Sequence, residues 1–107
     1  MADDITVVSP EGRLDSGSGT AFEKELLDRI DSGARKLLLD FSKLQYISSA
    51  GLRIVLLAAK RMKSAGGRMA LCSLNRQINE VFEISGFSAI LDIAPSHDDA
   101  VMRLSAP

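Results

Sequence analysis

Tryptophan is absent from this 107-residue chain, which has one tyrosine, one histidine and one cysteine. A single cysteine, Cys72, cannot close an internal disulfide. It lies in the apolar run Met69-Ala70-Leu71-Cys72, which reads as a buried strand where a thiol behaves as a small hydrophobe. The one histidine, His97, stands beside Asp98 and Asp99 in the expected first turn of a helix. A histidine-dependent catalytic triad is hard to assemble on such a chain, and no G-x-S-x-G elbow precedes a helix. One Cys and one His also disfavour zinc, so neither metal nor cofactor is expected, and the chain does not read as an enzyme. Basic residues interleaved with aromatics are missing, which disfavours nucleic-acid binding by stacking. With 13 basic and 14 acidic residues the net charge is −1, too small to draw the chain to nucleic acid or an anionic membrane. No apolar run approaches the roughly 20 residues of a membrane span. The start, Met1-Ala2-Asp3-Asp4, is acidic and lacks the basic segment of a signal peptide. These features predict a cytoplasmic protein.

What is present is ordinary for a globular domain: 46% hydrophobic and 25% charged residues. The length suits one domain, residues 1–107, with one modest core. Ile5-Thr6-Val7-Val8 reads as a strand, and Arg13-Leu14 as a segment that pairs back briefly after a turn. Thr20-Ala21-Phe22-Glu23 matches a capping box, predicting a first helix from Thr20 with Phe22, Leu26 and Ile30 on its apolar stripe and Gly33 as its stop. Lys36 to Phe41 reads as a central strand, Arg68 to Ser73 as another, and Ala89 to Ile93 as a short last one. Asn75 is expected to cap a helix bearing Ile78, Val81 and Phe82. Ser96 to Asp99 resembles a second capping box, opening a final helix. Strands alternating with helices argue for crossover units and a mostly parallel sheet.

Ile47-Ser48-Ser49-Ala50-Gly51-Leu52 carries the most information. It places two hydroxyls and a glycine before a helix predicted from Ser49 to Ser64. A Ser here can cap the free N–H groups of the helix, and the helix dipole favours an anion there, including a phosphate on that Ser. On a helical wheel, Ile54, Ala58, Ala65, Met62, Val55, Ala59, Leu52 and Leu56 span an arc of roughly 200°, wider than a surface helix needs. Arg53, Lys60 and Arg61 fill the opposite side, with Leu57 among them. Ile54 and Leu57 are therefore candidates for an exposed apolar contact with a basic rim; the alternative is a well-buried helix with a solvated basic face, since scattered exposed apolar residues are ordinary. Gly17-Ser18-Gly19-Thr20 has the look of a phosphate loop, but no Lys follows it. Asp40, at a strand end, reads either as a functional acid or as one bonding loop amides. Asp15 reads as a turn residue.

Ser48-Ser49-Ala50-Gly51-Leu52 resembles the signature of the STAS family, and of its bacterial anti-sigma-factor antagonists in particular, which carry Asp-Ser-Ser/Thr-Gly-Leu at this junction. The likeness extends to Gly12-Arg13-Leu14-Asp15, Leu39-Asp40-Phe41-Ser42, Gly66-Gly67 and Ile84-Ser85-Gly86-Phe87, in order along nearly the whole chain. Two departures stand out: Ser48 replaces the usual Asp, and Ala50 occupies the second hydroxyl position. The resemblance implies a single α/β domain, with a mostly parallel mixed sheet covered by about four helices.

By the same resemblance, the unphosphorylated form would bind an anti-sigma factor that is also a serine kinase of the histidine-kinase-like ATPase type, freeing a sigma factor. Phosphorylation would end the binding, and a metal-dependent serine phosphatase would restore it. Ser49 is the expected phosphoacceptor, with Ser48 as fallback. The expected partner surface comprises Asp15, Asp40, Ser48, Ser49, Ala50, Gly51, Arg53, Ile54 and Leu57. The alternative is an adaptor subunit of a transporter or signalling complex in which both serines serve only as caps.

Overall fold

The computed structural model describes residues 4–106; the acidic start Met1-Ala2-Asp3, used above against a signal peptide, lies outside them. The elements in chain order are β1 (Thr6–Val8), β2 (Gly12–Leu14), α1 (Ser16–Asp31), β3 (Lys36–Asp40), β4 (Leu44–Ile47), α2 (Ser49–Ser64), β5 (Arg68–Cys72), α3 (Arg76–Ile84), a 3-10 turn (Phe87–Ala89), β6 (Asp92–Ala94) and α4 (His97–Ser105). Four strands form one sheet in the order β1-β3-β5-β6, and β2 pairs with β4 in a separate two-stranded sheet. All of these pairings run parallel, as the alternation of strands and helices predicts.

The Leu37-Leu38-Leu39 run explains the layering. Alternate strand residues point to opposite faces, yet all three leucines are fully buried. Leu37 and Leu39 join a core built with Phe22, Leu26 and Ile30 of α1, Val55, Ala58 and Met62 of α2, and Ile78 and Phe82 of α3. Leu38 joins the opposite core, with Ala70 and Cys72 of β5 and Ala100 and Leu104 of α4. Three helices thus cover one face of the main sheet and α4 covers the other. No described helix is long and apolar enough to cross a membrane.

Several expected boundaries move. Helix α1 starts four residues before Thr20, because Asp15 and not Thr20 is its N-cap: the Asp15 side chain accepts from the Gly17 and Ser18 amides, and the Ser18 hydroxyl accepts from the Asp15 amide. The capping box is therefore Asp15–Ser18, and Thr20 lies within the helix. Arg13-Leu14 does not pair back onto the first strand; β2 pairs with β4, a strand the hydrophobic pattern did not announce. The last strand starts three residues later than expected and ends one later, because Gly86 at φ 82° leads the chain into the 3-10 turn first.

Candidate functional site

The β2–β4 pairing builds the site. In its register Leu14 lies opposite Ile47, and the Ser48 amide donates to the Leu14 carbonyl at 2.9 Å. The next residue of each strand, Asp15 and Ser48, caps a helix. Two helix N-termini therefore start side by side, and neither first turn contains an acidic residue. Their free N–H groups and dipoles make this end of the molecule locally favourable to negative charge.

The two serines divide the work. Ser48, half-buried, is the N-cap of α2: the Gly51 N–H donates to its Oγ at 3.3 Å. Ser49 is the first residue of the helix proper, exposed, and its hydroxyl has no hydrogen-bond partner among the described residues. Gly51 allows the close approach that holds this geometry. A Cβ there would lie 2.8 Å from the Leu14 carbonyl oxygen and 2.8 Å from Ile47 Cγ1, so only glycine lets α2 sit directly against both short strands.

Around the loop, Asp15 faces Arg13 at 3.7 Å, and the Arg13 guanidinium lies 4.2 Å from the centre of the Tyr46 ring. The backbone N–H of Ser18, with that of Gly17 and the nearby Arg13, holds the Asp15 carboxyl below the usual carboxylate range despite some opposing desolvation. Arg13 and Tyr46 were not singled out by sequence, since only the unforeseen β2–β4 pair brings them together.

A groove of about 410 Å³ runs between α1 and α2, lined by Ser16, Gly19, Thr20 and Glu23 on one side and Ala50, Arg53, Ile54 and Leu57 on the other. Arg53 is exposed, one turn beyond Ser49, and has no ion-pair partner among the described residues. Leu57 is half-buried, and Lys60 and Arg61 are exposed. Ile54, expected at an exposed edge, is only 8% exposed: its Cδ1 is wedged against α1, 2.9 Å from where a Cβ on Gly19 would sit. It is a floor residue of the groove and part of the core. The loop of Gly17-Ser18-Gly19-Thr20 is absorbed into α1 and cradles nothing.

Of the expected residues, Asp15, Ser48, Ser49, Ala50, Gly51, Arg53, Ile54 and Leu57 fall on this one side of the molecule. Asp40 does not join them. Its carboxylate lies on the α4 side of the sheet, where it accepts from the Ser42 amide at 2.9 Å and meets His97 Nδ1 at 3.1 Å. Burial alone would raise its pKa, but the Ser42 amide and hydroxyl together with His97 outweigh burial and hold it below the ordinary value.

With this architecture, the chain belongs to the STAS domain family, whose profile matches residues 1–100. Its relatives are named as anti-sigma factor antagonists. It is 42% identical over 98 residues to one of them, BtrV of Bordetella bronchiseptica, the match covering 92% of this chain and 84% of that one. The crystal structure of another, from Thermotoga maritima, superposes with a TM-score of 0.92 at 25% identity, over 97% of this chain and 90% of that one. The fold is also that of the Bacillus cell fate determinant SpoIIAA, solved in its phosphorylated form, at a TM-score of 0.73 and 22% identity, with 94% and 91% covered.

Proposed function

We propose that this chain is an anti-sigma-factor antagonist working by a phosphorylation-controlled partner switch. Unphosphorylated, it binds an anti-sigma factor that is also a serine kinase and so frees a sigma factor; phosphorylation of Ser49 ends the binding. The observation carrying this reading is the exposed Ser49 hydroxyl, without a hydrogen-bond partner among the described residues, beside a Ser48 that does the capping. A kinase can reach Ser49 without opening the helix. The kinship with proteins named for this role supports the partner class.

The electrostatics suit a switch at the interface. A phosphate adds about −1.5 to −2 charges and three strong acceptors. On Ser49 it meets the free N–H groups of α2 and lies one helical turn from Arg53, which has no ion-pair partner among the described residues, so the domain tolerates it. Against an apolar or acidic partner surface the same charge must be desolvated, and the complex is lost. Leu57 and the rim of Arg53, Lys60 and Arg61 form the adjoining docking surface. Restoring the bound state falls to a metal-dependent serine phosphatase. The chain itself performs no chemistry in this cycle.

Incubation with ATP, Mg²⁺ and an anti-sigma serine kinase from the same genome, followed by intact mass, tests the reading. One added phosphate that disappears in Ser49→Ala supports it. An unmodified protein that still binds its partner would instead favour a constitutive adaptor, consistent with Ala50 at the second hydroxyl position.

A further inference from the structure

The only histidine and the only cysteine of the chain are 25 positions apart in sequence, yet the fold brings them together with an aspartate. We propose that Asp40, Cys72 and His97 form a binding site for a single zinc ion on the α4 side of the sheet, separate from the Ser49 loop. The proposal does not depend on the phosphorylation reading.

Three neighbouring strand ends supply the donors. Asp40 ends β3 and lies directly opposite Cys72, which ends β5. Cys72 is in turn opposite Ala94, the end of β6. From there Pro95 and Ser96 lead into His97, the first residue of α4, where the Ser96 hydroxyl fixes the turn by accepting from the Asp99 amide at 3.1 Å. The candidate ligand atoms, a carboxylate oxygen, Sγ and a ring nitrogen, all lie within 4.8 Å of one another. Ligands around a tetrahedral zinc are separated by roughly 3.3–3.6 Å, given bonds of about 2.0–2.3 Å. The widest pair must therefore close by up to about 1.2–1.5 Å, which rotation of the half-exposed His97 side chain can supply.

The surroundings match what such a site requires. The Ser42 amide holds Asp40 Oδ1 at 2.9 Å and leaves Oδ2 turned toward His97, a second contact of the kind that orients metal ligands. Cys72 is fully buried, while the His97 side chain is 44% exposed and Asp40 15%. The ion enters from the His97 side, where water completes the fourth position. One thiolate, one carboxylate and one neutral imidazole balance a divalent cation, so the partly buried site carries no net charge. One oxygen donor beside sulfur and nitrogen suits zinc and not magnesium or calcium.

Loading the site moves one proton to solvent. Zinc binds a cysteine as its thiolate, so the buried Cys72 thiol gives up its proton when the ion enters. The reaction is Cys72–SH + Zn²⁺ → Cys72–S–Zn⁺ + H⁺. His97 gives up the Nδ1–H that it turns toward Asp40, its imidazole proton passing through solvent to Nε2, and binds the metal through Nδ1, so the ring stays neutral and the only proton lost is that of the thiol. The ion then fastens α4 to β3 and β5.

The test uses the whole chain, reduced and stripped of metal, titrated with cobalt and then zinc. One cobalt per chain, with a thiolate-to-cobalt charge-transfer band that zinc abolishes, is expected. So are a rise in melting temperature with zinc and release of about one proton per zinc in calorimetry across buffers of different ionisation enthalpy. His97→Gln, at a half-exposed position, should keep the fold and weaken cobalt binding at least tenfold; Cys72→Ala should remove the charge-transfer band. No stoichiometric binding at micromolar metal, cobalt bound without that band, or equal affinity in His97→Gln would each overturn the proposal.

Discussion

Replacing Ser48 and Ser49 by Ala, one at a time, separates two hydroxyls that are neighbours in sequence and different in physical role. Ser48→Ala removes the side-chain acceptor of the Gly51 N–H. Loss of an N-cap costs about 0.5–2 kcal/mol, and the bond length of 3.3 Å places this one in the lower half of that range. The Ser48 amide still donates to Leu14 and its carbonyl still accepts from Leu52, so the entry to the helix remains anchored. The expected loss is about 0.5–1 kcal/mol, or a midpoint lower by roughly 2–6 °C in a domain of this size. Ser49→Ala removes a hydroxyl that bonds to nothing described, at an exposed first helical position, and should change stability by less than about 0.5 kcal/mol. A phosphate on Ser49 leaves the cap in place and gains about 0.3–1 kcal/mol from the helix terminus, so the phosphorylated form should melt with or slightly above the unmodified one. Urea and thermal melts followed by circular dichroism measure all three. The reasoning fails if Ser49→Ala costs as much as Ser48→Ala, or if the phosphorylated protein loses its cooperative transition.

Gly51→Ala should destabilise by about 1–3 kcal/mol, since its Cβ meets backbone and a packed Ile47; Gly19→Ala meets only the end of Ile54 and gains helix propensity, so a near-neutral effect is expected, both read from chemical denaturation. Leu57→Asp should lower affinity for the anti-sigma partner over tenfold while barely moving the melt, whereas Ile54→Asp should unfold the protein because Ile54 is core; equal losses of stability and affinity in Leu57→Asp would remove it from the interface. Partner binding should weaken as salt rises, if the rim of Arg53, Lys60 and Arg61 contributes. Asp40 has a depressed folded pKa, so its contribution is present above the unfolded value of about 3.9 and is lost as pH falls through the folded one. Stability measured against pH should therefore fall more steeply on acidification in the wild type than in Asp40→Asn, and parallel curves would show that Asp40 is not the group responsible.

The long periodic segments were legible because burial dictates their pattern. The run of α2 from Ser49 to Ser64 matches its expected limits, and the central strand expected over Lys36 to Phe41 is β3, Lys36–Asp40. The short segments were not. Strand β2 has three residues and β4 four, too few for a period to emerge, and their pairing is decided by tertiary packing. That pairing sets Asp15 beside Ser48, so the cap of α1 was misplaced at Thr20, where a matching capping pattern occurs inside the helix. Ile54 was misjudged for a related reason: a wheel ranks residues by angle alone, and the approach of α1 at Gly19 buries one edge of the arc. The lone His and lone Cys gave no hint of meeting, since only the order of the strand ends brings them together.

Affinity for the anti-sigma kinase, measured with unmodified protein and with protein phosphorylated at a site mapped by mass spectrometry, decides the proposed switch. Phosphate on Ser49, at least a tenfold loss of affinity on its addition, and a Ser49→Ala variant that stays bound in the presence of ATP are the expected results. Phosphate on Ser48 with Ser49 untouched, or equal affinity of the two forms, would contradict the division of labour between these serines.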